Sequence, residues 1–563
     1  MDHSWMRQNS SFFDKNMISL AICNPPLYTK LLSAKTDRKH YRFIEGKTQK
    51  TIPAFVDKNG TEHLLHSLIS PEKEADKLTS TIKDEGYIIF LGLGGGFFAE
   101  SALKKPGIQK VMVIDYDIDG LAELLCSKDY SFLFSDPRFI LLHDPSEQEI
   151  EHYIIEHYFP CLHNGIRIIP LRPRCDCDEY FVPVRETIQR ALEKVSSDYS
   201  VQAYFGKRWF SNIIRNIFST EKQCDRIEPK AHVAICAAGP SLDSSLDQLK
   251  KKQGDIYIIS TDTAAGSLLN AGIKPDAILS IDCQHISYLH FLGNNTENIT
   301  LFLDLASPPL LHSRSLQSIF FASAHPLANY VSNYFKQLTF IDTSGANVTY
   351  AAVSLAEKLG AQTIEIYGAD FSYPEGKAYT KGAFFYPYLN TRQNRFAPSA
   401  SQLCDFLFKN KTLKRVDNRE SYYYETRVLE MYRKNLEEKS KQSLCRMHLV
   451  KGAGAQVHLY EHNDVLSGTL AHNNEAGGGF LSGNSRISPK EFLLNYKQEI
   501  EGLPKLEKNV DAYIKNLSPL SKIIFTTILP TAAAIKRLEP ALGSGELVEE
   551  VKNYCVRKIV NVL

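Results

Sequence analysis

Short apolar runs that break at glycine alternate along this chain with longer stretches whose apolar residues recur every three to four positions. The clearest unit is Val233-Ala-Ile-Cys-Ala-Ala-Gly-Pro-Ser-Leu-Asp243. Val233–Ala238 has the length of a buried strand; the run breaks at Gly239-Pro240 and resumes as a helix-like stretch to about Lys250. Pro240 has no N–H to lose at a helix entrance, and Ser241 or Asp243 is placed to cap the first turn. Strand, glycine turn and helix N-terminus together make an anion pocket, because free backbone N–H groups and the helix dipole face one point. An ordinary strand-to-helix connection has the same pattern.

The alternation continues and predicts strands at Ile256–Ser260, Ala277–Ile281, Thr300–Leu303, Ser318–Ala322, Leu338–Ile341 and Thr363–Tyr367, with helices at Ala264–Ala271 and Val348–Leu359. Strands and helices in this order imply a parallel sheet covered on both faces, whose ligands lie beyond the carboxyl ends of the strands. The residues that follow the strands are Gly239-Pro240-Ser241, Thr261-Asp262-Thr263, Asp282-Cys283-Gln284, Asp342-Thr343-Ser344-Gly345-Ala346-Asn347 and Gly368-Ala369-Asp370. Five small, acidic or hydroxyl-bearing turns converging on one rim point to a polar ligand pocket.

The first half contains a second such unit: Tyr87–Leu91, Gly92-Leu-Gly-Gly-Gly96, a helix to about Lys105, then Lys110–Asp115-Tyr-Asp117. About 20 residues separate the glycines from Asp115, a spacing that suits a nucleotide or S-adenosylmethionine with the acid on the ribose. Glycine also serves wherever backbone must pass close to backbone, so a retained scaffold explains the loop equally. Upstream, His40–Ile44 and Thr51–Val56 read as short strands, and Pro71 to about Lys83 as an exposed helix. Glu186 to about Thr220 is helical, with Trp209, Ile213, Ile214 and Ile217 on a packing face and Lys207, Arg208, Asn212 and Arg215 on a solvated one. Glu221–Lys230 reads as a linker, Ser421–Ser443 as a long amphipathic helix, Gly452–Gly483 as loops, and Pro489–Leu563 as mostly helical. The expected class is α/β: Rossmann-like parallel-sheet domains at 1–220 and 221–420, then a mainly helical region, 421–563.

Composition narrows the function. A chain of 563 residues exceeds one hydrophobic core, and 43% hydrophobic with 23% charged residues is ordinary for a globular protein. Lys+Arg 65 against Asp+Glu 64 gives no global electrostatic case for nucleic acid. No apolar run reaches the roughly 18 residues of a membrane span, and Met1-Asp-His-Ser-Trp-Met-Arg7 lacks a signal-peptide pattern. Eleven scattered cysteines argue against a disulfide framework, and Cys175-Asp-Cys177 has no second pair to complete a zinc site. A cytoplasmic location and no metal site are expected.

Gly239-Pro-Ser-Leu-Asp243, Thr261-Asp-Thr263 with Leu268-Leu-Asn-Ala-Gly-Ile-Lys-Pro-Asp276, Ser280-Ile-Asp282, Ser344-Gly-Ala-Asn-Val348 and Tyr367-Gly-Ala-Asp-Phe371 resemble the motility-associated-factor (Maf) glycosyltransferases. The same segment is similar to MptE-like 6-hydroxymethylpterin pyrophosphokinases. More distantly, Ala237–Leu242, Thr343-Ser344-Gly345 and Gly368-Ala-Asp370-Phe371 with Tyr373 and Tyr379 resemble bacterial CMP-sialyltransferases, with Ala238 where Asn often stands. The resemblance implies a CMP-activated nonulosonic acid as donor, used without an obligatory metal, and a protein hydroxyl as acceptor, such as a Ser or Thr of flagellin. It implies that backbone N–H groups of Gly239–Ser241 and Thr343–Gly345 hold phosphate and ribose, that Asp370 orients the nucleotide, and that Tyr373 and Tyr379 stabilise the leaving phosphate. Gly239, Pro240, Ser241, Thr261, Asp262, Thr343, Ser344, Gly345, Asn347, Gly368 and Asp370 are then the donor-binding residues. The sialyltransferase histidine has no counterpart in Arg419–Tyr424, which leaves Asp282, His325 and Glu420 as candidate bases. The pyrophosphokinase alternative needs ATP and magnesium, for which Asp262, Asp282 and Asp370 are the available carboxylates; a binding protein that kept the fold and lost the base is the third reading.

Overall fold

The computed structural model describes residues 4–35, 39–83, 85–221, 226–417, 421–460, 480–481, 483–507 and 509–563. The chain divides into two compact units: 1–206 with 503–522 and 529–553, and 207–502 with 523–528 and 554–563.

In the first unit, strands β1 (Tyr41–Glu45), β2 (Thr51–Val56) and β3 (Glu62–Leu64) form an antiparallel meander. Four parallel strands follow, β4 (Tyr87–Leu91), β5 (Lys110–Asp115), β6 (Phe139–His143) and β7 (Ile166–Pro170), in the order β6-β5-β4-β7. Every residue of β4 and β5 is buried, as uninterrupted apolar runs in a covered parallel sheet require. The expected exposed helix runs from Pro71 to Ser80, capped by Ser70.

Helix Phe181–Thr220 is one continuous 40-residue element. Its second half corrects the expected solvated face. Asn212 and Asn216 are buried, and their side-chain amides donate to the carbonyls of Cys283, Ala306, Leu305 and Ser307. Unpaired carbonyls at strand ends are costly inside a protein, so these two asparagines fix the helix against the loops that leave the sheet.

The second unit is built on seven parallel strands: β9 (His232–Cys236), β10 (Tyr257–Thr261), β11 (Ala277–Ser280), β12 (Thr300–Asp304), β13 (Ser318–Phe321), β14 (Thr363–Tyr367) and β18 (Arg446–Leu449). A short β8 (Arg226–Ile227) precedes them and pairs with β19 (Phe480–Leu481). The order is β13-β12-β11-β10-β9-β14-β18, and the chain reverses direction of addition between β9 and β14. Buried apolar clusters lie on both faces. Leu338–Ile341 forms no strand among the described residues; Phe340 makes a single bridge to Ala322. The expected helix over Ser421–Ser443 is instead β17 (Ser421–Thr426) followed by helix Arg427–Gln442, capped by Thr426. β17 lies between β15 (Tyr373–Pro374) and β16 (Thr412–Asp417) in a small antiparallel sheet. The C-terminal region is helical as expected, at Pro489–Gly502, Val510–Asn516, Pro519–Leu538 and Ser544–Val560. No described helix is long and apolar enough to cross a membrane.

Candidate functional site

The two glycine turns differ in what fills them. At the first, Asp115 is buried at the end of β5, accepts a hydrogen bond from the Leu93 amide (2.9 Å), and is paired with Arg174 (3.1 Å). Arg174 is fully enclosed among Tyr41, Phe55, Tyr116 and Phe181. The carboxylate expected on a ribose is therefore neutralised inside the protein. The Gly95 amide donates to His66 Nε2 (2.9 Å), and a Cβ on Gly94 or Gly96 would press on Leu171 or Tyr130. Burial pushes the His66 imidazole down to about 3, so it stays neutral and keeps its acceptor lone pair. These glycines serve close packing, in accord with the scaffold reading of Gly92–Gly96.

At the second turn, Gly239 N donates to the Gly368 carbonyl and Ser241 N to Asp370 Oδ2, both at 2.8 Å. The Asp370 carboxylate thus occupies the position proposed for a phosphate over Gly239–Ser241, and Ser241 makes no side-chain cap. A Cβ on Gly239 or Gly368 would collide with Asp370 or with the Ala237 carbonyl, which explains both glycines. Asp370 is buried, and burial raises its carboxyl above the usual range, with Asp243 adding to the effect. The Ala455 amide closes over it, donating to the Asp370 carbonyl and to Ser372 Oγ. Asp243 receives the Thr380 hydroxyl and the Lys381 amide, which ties the loop after β14 to this turn.

The open polar groups lie further along the rim. Thr261 donates its hydroxyl to the Cys236 carbonyl. Asp262, buried at the start of helix Asp262–Asn270, accepts from Ser280 Oγ through Oδ2 (2.7 Å) and from Thr263 through Oδ1. Asp282, half-buried after β11, accepts from the Gln284 amide and side chain. Burial raises its carboxyl, and the charge of Asp262 raises it further, while Arg208 acts in the opposite sense. Arg208, assigned above to a solvated face, acts on this rim instead. Asp304 ends β12, buried, and burial pushes its carboxyl up to about 6 against hydrogen bonds from the Ala306 amide and Ser323. Its sequence signal, an acid directly after an apolar run, is the one that picked out Asp282.

Tyr373 and Tyr379 flank the rim in an aromatic cluster with Phe385 and Phe406. Burial pushes the Tyr379 hydroxyl up to about 12, reinforced by Tyr373 and by Asp262, which puts this phenol in the electrostatic field of the β10 carboxylate. At the far side, Ser344 N and Tyr350 Oη donate to Asp342, and Asn347 caps helix Val348–Lys358. Asn435 Nδ2 donates to the Gly345 carbonyl. The Thr343 and Gly345 amides have no hydrogen-bond partner among the described residues. Ala346 (φ +58°) and Phe371 (φ +44°) hold left-handed backbone beside the two turns.

His325 is drawn away from this rim. Its Nδ1 accepts from the Leu327 amide as the cap of helix Pro326–Tyr334, its Nε2 is enclosed, its ring packs on Trp209, and burial pushes it down to about 3. A lone pair spent on a helix cap in an imidazole this weakly basic leaves no base for catalysis. Glu420 lies outside the described residues. Among the described residues no group of three or more His, Cys, Asp or Glu is arranged to hold a metal ion; Asp262, Asp282 and Asp370 each serve a separate hydrogen-bond set.

Residues 209–376 match the family described as 6-hydroxymethylpterin diphosphokinase MptE-like. The solved MAf glycosyltransferase from Magnetospirillum magneticum AMB-1 superposes with a TM-score of 0.59 over 98% of this chain and 95% of its own, at 13% identity. The chain has the Maf glycosyltransferase fold. Uncharacterized proteins of Treponema pallidum (strain Nichols) are similar in sequence: one is 27% identical over 180 residues, 30% of this chain and 84% of that one. A second is 31% identical over 156 residues, 26% of this chain and 54% of that one, and a third 21% identical over 376 residues, 66% and 80%. The MptE-like segment contains β9–β14 and the rim residues described above from Gly239 to Tyr373; Arg208 lies one residue before it, and Tyr379 three residues after.

Proposed function

We propose that the chain is a glycosyltransferase that moves a nonulosonic sugar from a CMP-activated donor to a protein hydroxyl, with flagellin as an acceptor of the right kind. The observation that carries this reading is the rim at the strand ends, where Asp282 lies in the field of Asp262 and Arg208 and the Tyr379 phenol in that of Tyr373 and the same Asp262. A nonulosonic acid bears a carboxylate that matches Arg208. The phosphate is assigned to the Thr343 and Gly345 amides, because Asp370 fills the Gly239–Ser241 turn; Asp370, Gly239, Pro240, Ser241 and Gly368 then shape the site.

In the reaction the acceptor oxygen bonds to the anomeric carbon as the bond from that carbon to the phosphate oxygen breaks, and CMP leaves with the electron pair. Asp282 takes the acceptor proton, which its raised carboxyl favours over an ordinary surface aspartate. The Tyr373 and Tyr379 hydroxyls donate to the departing phosphate, where negative charge develops. The family description of residues 209–376 supports a second reading, transfer of pyrophosphate from ATP with magnesium.

CMP release from a CMP-nonulosonic acid separates the two. Tyr379→Phe is expected to lower kcat by roughly 100- to 1,000-fold with little change in thermal stability, the range seen on losing one oxyanion donor. Turnover of Mg-ATP with a pterin alcohol, and none of the CMP sugar, would establish the second reading.

A further inference from the structure

The excursion between β14 and helix Arg427–Gln442 carries exposed basic and aromatic residues, among them Phe408, Lys409, Lys411 and Lys414. In the small sheet, Lys414 of β16 stands opposite Tyr424 of β17, and Tyr424 stands opposite Tyr373 of β15. Directly opposed residues of an antiparallel sheet present their side chains on one face, so a basic-to-aromatic row runs from the sheet edge to a phenol of the candidate site. Phe408, 49% exposed, packs against Tyr424 with ring centroids 5.1 Å apart. Phe406 touches both Tyr373 and Tyr379, so the face is continuous with the site. Lys409 and Lys411, at the entrance to β16, are exposed and make no ion pair among the described residues. β16 is an edge strand, since the sheet order is β15-β17-β16. Lysines at such an edge discourage self-pairing and leave its backbone groups to an oppositely charged strand.

From this juxtaposition we infer that the β16 edge and its row of Lys414, Tyr424 and Phe408 dock an extended acidic segment of the acceptor protein, and so deliver its hydroxyl to the candidate site. The inference rests on the transferase reading for the identity of the bound protein, and on charge complementarity for its chemistry. Backbone pairing along β16 supplies affinity without demanding one sequence, and Lys409, Lys411 and Lys414 select against basic segments.

The test is fluorescence anisotropy with two labelled synthetic peptides of alternating Ser and Leu, one with Glu and the other with Lys at every third position. The full chain is compared with Lys409→Glu/Lys411→Glu/Lys414→Glu and with Phe408→Ser. The wild-type chain is expected to bind the Glu peptide at least tenfold tighter than the Lys peptide, less tightly as salt rises. The triple variant should reverse that preference, and Phe408→Ser should weaken both by several-fold. CMP binding by thermal shift should be unchanged in both variants. Equal binding of the two peptides, or a preference that survives charge reversal, overturns the proposal. So does stronger flotation of the wild type than of the triple variant with phosphatidylserine vesicles, since the basic face would then serve a membrane. Peptide selectivity without CMP binding leaves the docking surface standing and removes the transferase reading; CMP binding without selectivity does the reverse.

Discussion

The two glycine turns of this protein arise from the same sequence pattern, an apolar strand, glycines and a helix, and both receive a carboxylate from the chain itself. They differ in the cation. Asp115 is paired with Arg174, and the pair is buried among aromatic rings. Asp370 has no ion-pair partner among the described residues and is raised by burial and by Asp243, while the Thr343 and Gly345 amides at the far side of its rim have no hydrogen-bond partner among the described residues. A turn whose charge is fully answered within the fold is architecture. A turn on a rim that keeps a raised carboxyl and unpartnered amides is where a ligand has something to satisfy.

Removing each carboxylate sharpens the contrast. Asp115→Asn strands the buried Arg174 guanidinium, and breaking a buried pair from one side costs about 3–5 kcal/mol, read by chemical denaturation of the full chain. A loss below about 1 kcal/mol would show that Arg174 is answered otherwise.

Asp304→Asn should act in the opposite direction. The Asp304 carboxyl titrates at about 6 in the fold against 3.8 as its ordinary value. Between those values the folded state holds the extra proton, so stability falls as pH rises through the window and stays lowered above it. Asparagine keeps the acceptor for Ala306 without the charge, and should add about 1–3 kcal/mol at pH 7 while flattening the slope between pH 4 and 6. Denaturation midpoints across that range check it; an unchanged slope would mean Asp304 is solvated.

The smallest stability effect is expected at Asp370→Asn. The amide oxygen still accepts from Ser241, so denaturation should shift by about 1 kcal/mol or less, while CMP affinity falls as the turn loosens. A loss comparable to that at Asp115 would erase the difference between the turns.

Much of this architecture was legible because parallel strands buried on both faces must be apolar throughout, as Tyr87–Leu91 and Val233–Cys236 are. β6, β7 and β18 escaped notice for the converse reason: they are partly exposed and carry His, Arg or Pro, so their runs are short and mixed. β17 was hidden by the helical periodicity that begins at Arg427, although three consecutive tyrosines favour a strand. The rim of acids and hydroxyls could be read from one chain because most of it follows a strand directly, and Asp342–Asn347 follows an apolar run that makes only the Phe340 bridge. Arg208 could not: helical spacing says which residues share a face, but which face meets Asp282 depends on contacts distant in sequence. The engagement of Ser241 by Asp370 is likewise tertiary, across 129 positions.

Hydrogen exchange of the full chain with and without CMP tests the central claim most directly. Slower exchange at 261–263, 343–347 and 373–382, with 92–96 unchanged, is the expected result. Protection of 92–96, with the second-unit rim unaffected, would contradict the account.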